Sequence, residues 1–403
     1  MLHLKPMLVP KWPKLAWVAS LTEGEEEIRV LHGPMVEVGE DWLAEAVWAG
    51  EFAAGDFDET DLVFGTGIRC RKGTVVFVSS GSTVDRLWDV AIGKATYVAN
   101  SLPALLATTD LSLRSDYQGY SRDICTSVRG PQSGKRKLPT SGAPCRSTYF
   151  ANLLYDGEAL RETEKPNTAP SFACFGDYRD YLCESAASLG GNSRSSSRQH
   201  QPVLATTVST GYDSAAGAVV ARWASCRQAL TLRQSHSCWR GSDSGKALAD
   251  RLGLECREYD RIVPHHPFEQ TLWAAAGRPG DLNLAVFEYP GPLCVLFTGF
   301  HGDKIWAKTR TEINDPMQRG DISGLGLCEY RLWQGLFHCP VPFWGVRQRA
   351  AIQDLSSSAE MQEWSLGNRY DRPVPRRLVE EQGVPRHLFG MRKRVTVTEA
   401  PFL

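Results

Sequence analysis

Residues 203–224 read VLATTVSTGYDSAAGAVVARWA, and this stretch decides the fold of the second half of the chain. An apolar run of the length of one strand is followed by a short polar segment, and then by an Ala- and Val-rich stretch of helical character. A further strand is predicted at residues 228–232, a helix at 244–252 with Asp243 as its N-cap, and another strand at 293–298. Strands that alternate with helices predict an α/β fold, a parallel sheet with helices on both faces.

The polar turn after the first of these strands has the composition of an anion site. Backbone N–H groups point outward where a helix begins, and the helix dipole favours negative charge there. Gly211 lets the chain approach a bound oxyanion, while Ser209 and Ser214 offer hydroxyl donors. Asp213 suits such a site only where a divalent cation bridges its carboxylate to phosphate, so the turn predicts Mg²⁺-nucleotide binding. An ordinary strand-to-helix turn is the alternative, because small polar residues are common there.

The first 165 residues are predicted to be mostly β-structure. Short apolar runs alternate with Gly, Asp and Ser, at residues 17–20, 27–31, 75–79, 95–98 and 147–154. A short helix is predicted at 101–107, and further along the chain a helix at 172–189 precedes a polar loop at 190–200. The composition changes at 164–171, which predicts a linker between a β-rich α+β domain (1–165) and an α/β domain (171–403).

The charge balance argues against a nucleic-acid partner. The 403 residues include 45 Lys and Arg against 46 Asp and Glu, a formal net charge of −1. Proteins that neutralise phosphates along nucleic acid usually carry a basic excess. No run of 18 or more uncharged apolar residues and no signal peptide are recognisable, so no membrane partner is predicted. The 11 scattered cysteines contain no C-x-x-C pair, which favours reduced thiols and a cytoplasmic location.

Three segments of the second half carry a resemblance to a known family. The sequence STGYDS at 209–214 resembles the S-G-G-x-D-S pyrophosphate loop of the N-type ATP pyrophosphatases, with Thr210 where Gly is usual. FTGFHGD at 297–303 resembles the L-[ST]-G-x-x-x-D-E loop of asparagine synthetases, and HCPVPFW at 338–344 their R-V-P-F-L-D segment. The order and spacing are similar to those of the synthetase domain of asparagine and β-lactam synthetases. The resemblance implies an adenine nucleotide alpha hydrolase-like fold over residues 171–403.

The first half also resembles part of this family, in its glutaminase domain of the Ntn-hydrolase type. Residues 85–88 and 95–106 resemble the stretch D-P-x-G-x-x-P-L-Y-Y…S-E-L-K-A-L, and residues 137–142 resemble the L-P-P-G turn. A working glutaminase of this type has a cysteine as the first residue of the mature chain. This chain begins with Met1, and its first cysteine is Cys70. The resemblance therefore implies a degenerate glutaminase-like domain that releases no ammonia from glutamine.

The reaction that the resemblance implies is activation of a carboxylate by ATP. The substrate would form an acyl-adenylate with release of pyrophosphate, and an amine would then displace AMP to give an amide. The expected cofactors are ATP and Mg²⁺. The expected partners are a small-molecule or peptide carboxylate and an amine donor, in secondary-metabolite or antibiotic biosynthesis, and a homodimer is a further expectation. Such a site must neutralise triphosphate charge and hold two reactants in line.

The resemblance also assigns roles to individual positions. Asp213 and Asp303 are expected to hold Mg²⁺. Nucleotide contacts are expected from residues of three strand ends, namely Val208, Ser209, Thr210, Gly211, Asp213, Ser214, Leu232, Arg233, Thr298, Gly299 and Phe300. Lys393 is the expected catalytic lysine near the phosphates, with Lys304 and Lys308 as competitors. Tyr212 and His301 are candidate catalytic or substrate-contacting residues, with a packing or surface role as the alternative.

Two other features bear on the substrate side of the predicted site. Asparagine synthetases have an acidic residue at the position of Phe300, whereas β-lactam synthetase has an aromatic one. Because an aromatic ring cannot pair with an α-ammonium group as a carboxylate does, aspartate is not the expected substrate. Residues 371–377, DRPVPRR, are predicted to order the C-terminal tail and to offer an arginine to a phosphate or a substrate carboxylate.

Two other classes of function stay open on the sequence alone. One is an enzyme that inserts sulfur or nitrogen at an adenylated carbonyl, which would need a reactive thiol such as Cys226, Cys238 or Cys294. The other is a non-catalytic scaffold that has kept the fold, which Thr210 and the missing N-terminal cysteine would permit. Loss of activity on replacing Asp213 separates an enzyme from a scaffold.

Overall fold

A computed structural model describes residues 2–131, 134, 136–234, 242–260, 283–308, 317–319, 324–325, 327–368 and 370–391. The fold is mixed α/β, with a β-rich N-terminal region of mainly antiparallel sheets and a parallel sheet in the C-terminal part. Within the described residues, no helix has both the length and the apolar character that a membrane crossing requires.

The N-terminal region is built from strands β1 (His3–Leu8), β2 (Trp17–Thr22), β3 (Glu27–His32), β4 (Glu37–Val38), β5 (Trp42–Trp48), β6 (Val63–Arg71), β7 (Thr74–Val78), β8 (Leu87–Ile92), β9 (Ala95–Ala99), β10 (Lys137–Leu138), β11 (Cys145–Thr148), β12 (Ala151–Tyr155) and β13 (Leu160–Glu164). They form a seven-stranded sheet in the order β1-β3-β2-β9-β8-β11-β10 and a six-stranded sheet in the order β13-β12-β7-β6-β5-β4. Every pair is antiparallel except β1 with β3 at one edge.

The two N-terminal sheets pack against each other through their apolar faces. Trp17 of β2 and Phe77 of β7 stack across the layer with ring centroids 6.2 Å apart, and both side chains are buried. Helices α1 (Leu102–Thr109) and α2 (Tyr120–Cys125) cover the outer face of the larger sheet, where Leu105 and Ile124 join its core. Helix α1 begins where Ser101 accepts a hydrogen bond from the amide of Ala104, as an N-cap serine does.

The C-terminal part contains the parallel sheet that the sequence predicts. Its strands are β14 (Val203–Thr207), β15 (Gln228–Leu232), β16 (Glu255–Tyr259), β17 (Cys294–Thr298) and β18 (Leu336–Pro340), in the order β16-β15-β14-β17-β18. Among the described residues, the α-helices of this part are α3 (Phe175–Ser193), α4 (Tyr212–Trp223), α5 (Lys246–Arg251), α6 (Gly302–Ile305), α7 (Leu327–Gln334), α8 (Arg349–Ser357) and α9 (Pro373–Glu380). Short 3₁₀ helices lie at Phe52–Ala54, Thr126–Arg129, Asn283–Val286, Val341–Phe343, Val346–Gln348, Ala359–Trp364 and Arg386–Leu388.

Both faces of the parallel sheet are buried, as the continuous apolar runs of its strands require. In β17, Val295 and Phe297 join the core that includes α3, α4 and α5, while Cys294 and Leu296 join a second core with α7. Successive side chains of a strand point to opposite faces, so these two cores lie on opposite sides of the sheet. The prediction of an α/β sheet packed on both faces is therefore confirmed at this level.

Three predictions about local structure are wrong. Residues 147–154 are not one strand, because the chain leaves β11 and enters β12 of the other sheet through Phe150, whose φ is 51°. The helix predicted to end at 189 continues to Ser193, since Asn192 and Ser193 are buried and Asn192 accepts a hydrogen bond from Arg198. Asp243 is not the N-cap of α5, which begins after Gly245.

The N-terminal region and the parallel sheet share a buried, charged interface. Arg331 of α7 donates to both carboxylate oxygens of Glu45, at 2.6 and 2.8 Å, and also pairs with Asp85. Glu329, also on α7, accepts from the Ser101 hydroxyl (2.9 Å) at the start of α1. The apolar core is also continuous across this junction. The division into two domains near residue 165 stays a prediction.

Candidate functional site

The order of the parallel strands places a topological switch point, where a crevice is expected, at the ends of β14 and β17. From β14 the chain proceeds to β15 and β16 on one side, then returns to β17 and continues to β18 on the other side. The connections after these two adjacent strands therefore leave in opposite directions. In open α/β sheets, ligands bind in the crevice outside the carboxyl ends of strands at such a switch point. Both polar segments singled out in the sequence lie there.

The first segment, residues 208–214, forms a tight turn held by its two serines. The hydroxyls of Ser209 and Ser214 lie 2.6 Å apart, and Ser214 Oγ accepts from the Ser209 amide at 3.1 Å. Ser209 Oγ also accepts from the Gly211 amide at 3.2 Å. Helix α4 begins at Tyr212, three residues before the predicted start, so Asp213 and Ser214 belong to its first turn. First-turn amides have no acceptor within the helix, which makes this turn suitable for an anion.

The second strand-end segment, residues 297–303, lies directly against the first, residues 208–214. A Cβ on Gly299 would lie 2.5 Å from the Ser214 amide nitrogen, and one on Gly302 would lie 2.7 Å from Cγ of Asp213. Farther along α4, a Cβ on Gly217 would lie 3.3 Å from the Gly299 amide. Glycine is thus the residue that allows the two strand-end segments to touch. Their approach is as predicted, although the roles of Gly217 and Gly302 were not recognised in the sequence.

The two predicted metal ligands belong to these touching segments. The Asp213 carboxylate is about a quarter exposed and lies 3.4 Å from Arg372, while Asp303 lies 3.6 Å from Lys304. Among the described residues, no group of three or more His, Cys, Asp or Glu side chains is placed to hold a metal ion. A magnesium ion usually takes only one or two carboxylates and completes its shell with phosphate oxygens and water. The pair fits that pattern, and Mg²⁺ binding stays a prediction.

The residues on either side of α9 contact both strand-end segments. Arg372 donates to the Gly302 carbonyl at 2.8 Å as well as contacting Asp213, so it connects both strand-end segments. The Gly390 amide donates to the Thr210 carbonyl at 2.8 Å. Arg372 of the segment 371–377 therefore lies at this site, and its contact with a phosphate or a substrate carboxylate stays a prediction. The sequence signal is Arg372 before Pro373, since proline at the first helical position fixes where the helix starts.

Tyr212 and His301 are buried at the site. Tyr212 has no exposed surface; its hydroxyl contacts Arg376, its ring packs on Tyr370 at 5.0 Å, and burial raises its pKa. His301 has a φ of 72° and stacks on Phe343 at 5.0 Å. These surroundings favour the packing alternative for Tyr212 over a catalytic role.

Phe300 lies among aromatic and cationic groups. Its ring is stacked on Phe343 at 6.1 Å, and the guanidinium of Arg319 lies 4.9 Å from its centroid. Thr298 is hydrogen-bonded to Nε2 of His338 at 2.8 Å. Burial, with the nearby charges of Arg331 and Arg319, lowers the pKa of His338 to about 3, so this imidazole is neutral at physiological pH. The surroundings of Phe300 are therefore unlike those that would receive an ammonium group.

The remaining predicted residues differ in their environment. Val208 is buried, and Leu232 is 9% exposed at the end of β15. Next to it, Arg233 is exposed and pairs with Asp260 at 2.9 Å, which leaves its predicted adenosine contact untested. Lys393 lies outside the described residues.

The two competing lysines already have acidic neighbours. Lys304 lies beside Asp303, and Lys308 pairs with the buried carboxylate of Asp371 at 3.1 Å. Lys308 also contacts the hydroxyl of Ser365. Lys308 therefore helps to hold residue 371 rather than pointing a free charge at the crevice.

The cysteines named for the sulfur-transfer alternative lack the surroundings of a reactive thiol. Burial raises the pKa of Cys226 to about 12 and raises that of Cys294 further. Both side chains are in the core, and Cys238 lies outside the described residues. Reactive cysteines instead have lowered pKa values and some exposure.

Comparison with known proteins does not identify the family of this chain. No protein-family model matches the chain, and no curated protein matches it. The functional argument therefore depends on the residues and geometry of the crevice.

Proposed function

We propose that the protein is an ATP-dependent carbon–nitrogen ligase that joins a carboxylate to an amine with formation of AMP and pyrophosphate. The observation that carries the proposal is the meeting of two polar strand-end segments at the switch point of the parallel sheet. The turn that carries Ser209, Asp213 and Ser214 lies against the segment that carries Asp303. A cation that binds these carboxylates together with a phosphate on the turn would account for acidic and anion-binding groups at the same place.

Each group would act on a distinct part of the nucleotide. The first-turn amides of α4 and the hydroxyls of Ser209 and Ser214 would bind phosphate oxygens. Asp213 and Asp303 would hold Mg²⁺, which supplies charge neutralisation for the leaving pyrophosphate. The α/β part would then be an adenine nucleotide alpha hydrolase-like domain, and the β-rich part a glutaminase-like domain without its N-terminal cysteine.

The amine is proposed to be ammonia or an amine of the substrate rather than ammonia derived from glutamine. The substrate is proposed to be a small-molecule or peptide carboxylate other than aspartate, since Phe300 is surrounded by Phe343 and Arg319. The sulfur-transfer alternative is not advanced, because Cys226 and Cys294 are buried thiols with raised pKa values.

The test is carboxylate-dependent exchange of radiolabelled pyrophosphate into ATP, with AMP formation measured after hydroxylamine is added as the amine. A panel of amino acids, N-acylated amino acids and dicarboxylates serves as substrate, and Asp213→Asn is the matched variant. We expect exchange that requires Mg²⁺ and is lost in the variant. Formation of ADP and phosphate would contradict the proposal, as would a scaffold protein whose biological activity survives Asp213→Asn.

A further inference from the structure

Arg372 is the side chain that contacts both strand-end segments of the crevice through a single nitrogen. Its Nη1 donates to the Gly302 carbonyl at 2.8 Å and lies 3.4 Å from Oδ1 of Asp213. The Arg372 side chain is 11% exposed and that of Asp213 is 26% exposed. A permanent positive charge therefore lies at the carboxylate that is expected to hold the cation, because an arginine does not lose its proton in proteins.

The position of Arg372 is fixed by its neighbour. The buried carboxylate of Asp371 accepts hydrogen bonds from the amides of Leu366 (3.1 Å) and Gly367 (3.0 Å) and from the Ser365 hydroxyl (2.6 Å). Burial alone would raise the pKa of Asp371, but these bonds and Lys308 outweigh it and lower the pKa. The backbone is thus anchored one residue before Arg372.

The contact with Asp213 is the weaker of the two that Arg372 makes. At 3.4 Å it is long for a charge-assisted hydrogen bond, whereas the bond to the Gly302 carbonyl has an ordinary length. A side chain held at one end by Gly302 can exchange its other partner without leaving the crevice. An incoming phosphate offers oxygens that match a guanidinium better than one carboxylate oxygen does.

We infer that Arg372 is a positioning residue that occupies Asp213 until ATP binds, and then transfers to phosphate and leaves Asp213 to Mg²⁺. This inference rests on the proposed function. In the nucleotide-free protein, Arg372 competes with the cation for Asp213. With nucleotide present, its charge supports the phosphates, even where no Mg²⁺ is available. The two effects have opposite signs, which a purely structural role would not produce.

The experiment measures the affinity of a fluorescent ATP analogue across a Mg²⁺ titration and also in EDTA. Arg372→Gln is compared with the wild type and with Arg161→Gln, which removes an exposed arginine paired with Asp156 in the N-terminal region. We expect the Mg²⁺ midpoint to fall about twofold to fivefold in Arg372→Gln, because the competing pair is gone. In EDTA, the same variant should bind the analogue several-fold more weakly, while Arg161→Gln matches the wild type in both conditions.

A double variant and a conservative variant make the result decisive. In the Asp213→Asn background, Arg372→Gln should no longer shift the Mg²⁺ midpoint, because the charge pair is already absent. If Arg372→Gln does not fold by circular dichroism, Arg372→Lys should shift both quantities in the same directions by a smaller factor. Equal weakening with and without Mg²⁺, or no change in either, overturns the inference while leaving the proposed function intact. A wild-type protein that binds no analogue overturns both.

Discussion

The charged groups of this protein form two contrasting clusters, one buried at the interface of the two regions and one in the crevice. At the interface, Arg331 has 1% of its side chain exposed and is paired with Glu45 and Asp85, whose side chains are equally inaccessible. In the crevice, Arg372 makes one long contact with Asp213, and Asp213 is a quarter exposed. The first cluster is fully enclosed in the protein, whereas the second is partly open to solvent.

The comparison separates structural charges from candidate functional ones. A buried charge must have its partners in place at all times, because an unpaired ion in the protein interior is costly. A partly exposed charge with a weak partner can exchange that partner for a ligand at little cost. Substitutions in the interface cluster should therefore lower the stability of the fold. Substitutions in the crevice cluster should change ligand binding instead.

The largest expected effect is on the interface cluster. Arg331→Met removes the guanidinium and leaves Glu45 and Asp85 buried without their cation, so we expect a loss of about 3–5 kcal/mol in the free energy of unfolding. Urea denaturation followed by circular dichroism measures it. The control is Arg114→Met, since Arg114 pairs with Asp116 at an exposed site and should leave stability nearly unchanged. Equal effects of the two substitutions would show that the buried charge cluster is no more important for stability than an exposed ion pair.

The second expected effect is on the pH dependence of stability, through Glu329. Burial raises its pKa from 4.5 to about 7, against the opposing hydrogen bonds from Ser101 and Leu102. Between these values the folded protein holds a proton that the unfolded chain has lost. The contribution to stability is therefore full below pH 4.5 and falls as pH rises to 7, by at most about 1.4 kcal/mol per pH unit.

Glu329→Gln isolates this contribution, because glutamine keeps the acceptor oxygen and the volume but does not titrate. His338, with its pKa lowered to about 3, works in the opposite direction over part of the same range, so the informative quantity is the difference between variant and wild type. We expect the stability difference to change steadily between pH 4.5 and 7 in denaturation experiments. A difference that is independent of pH would show that Glu329 is ionised in the folded protein.

The third expected effect is on the contact between the strand-end segments. Gly299→Ala places a Cβ 2.5 Å from the Ser214 amide nitrogen, and backbone atoms cannot turn aside as a side-chain tip can. We expect a loss of about 1–3 kcal/mol in stability and weaker nucleotide binding. Gly191→Ala is the control, because it lies on an exposed turn of α3 with no atom within 4 Å of the new Cβ. That control should be stabilising by about 0.5–1 kcal/mol.

Much of this arrangement was predictable from the sequence. The alternation of apolar and helical segments predicted the parallel sheet, and the polar turn after its first strand singled out Ser209 and Asp213. Asp303 came only from the family resemblance, and the roles of all three stay predictions. The boundaries of the elements were harder to predict. Helix α4 begins at Tyr212 rather than at residue 215, because its first helical turn carries polar residues that the pattern alone assigns to the preceding loop. Periodicity indicates which side of an element is buried. It does not show at which residue capping and packing make the element begin.

The contacts between distant segments were not predictable. Nothing local indicates that Arg331 meets Glu45, since 286 residues separate them in the chain. The position of Arg372 at Asp213 depends likewise on how α9 packs across α4 and on the anchoring of Asp371. Gly217 and Gly302 look like ordinary small residues until the fold brings the backbone of Gly299 against the first and the side chain of Asp213 against the second. Long-range partners follow from the packed structure and not from pattern.

The smallest expected effect on stability comes from the residue with the largest expected effect on binding. Asp213→Asn keeps the shape of the side chain and removes the charge that meets Arg372 at 3.4 Å. Because the pair is partly exposed, we expect stability to change by less than about 1 kcal/mol. Binding of ATP in the presence of Mg²⁺ should weaken by roughly 10–100-fold, as when a charged hydrogen-bonding partner is lost. Isothermal titration calorimetry and urea denaturation on the same preparation give both numbers. A large loss of stability with unchanged binding would place Asp213 with the structural charges and would remove the contrast between the two clusters.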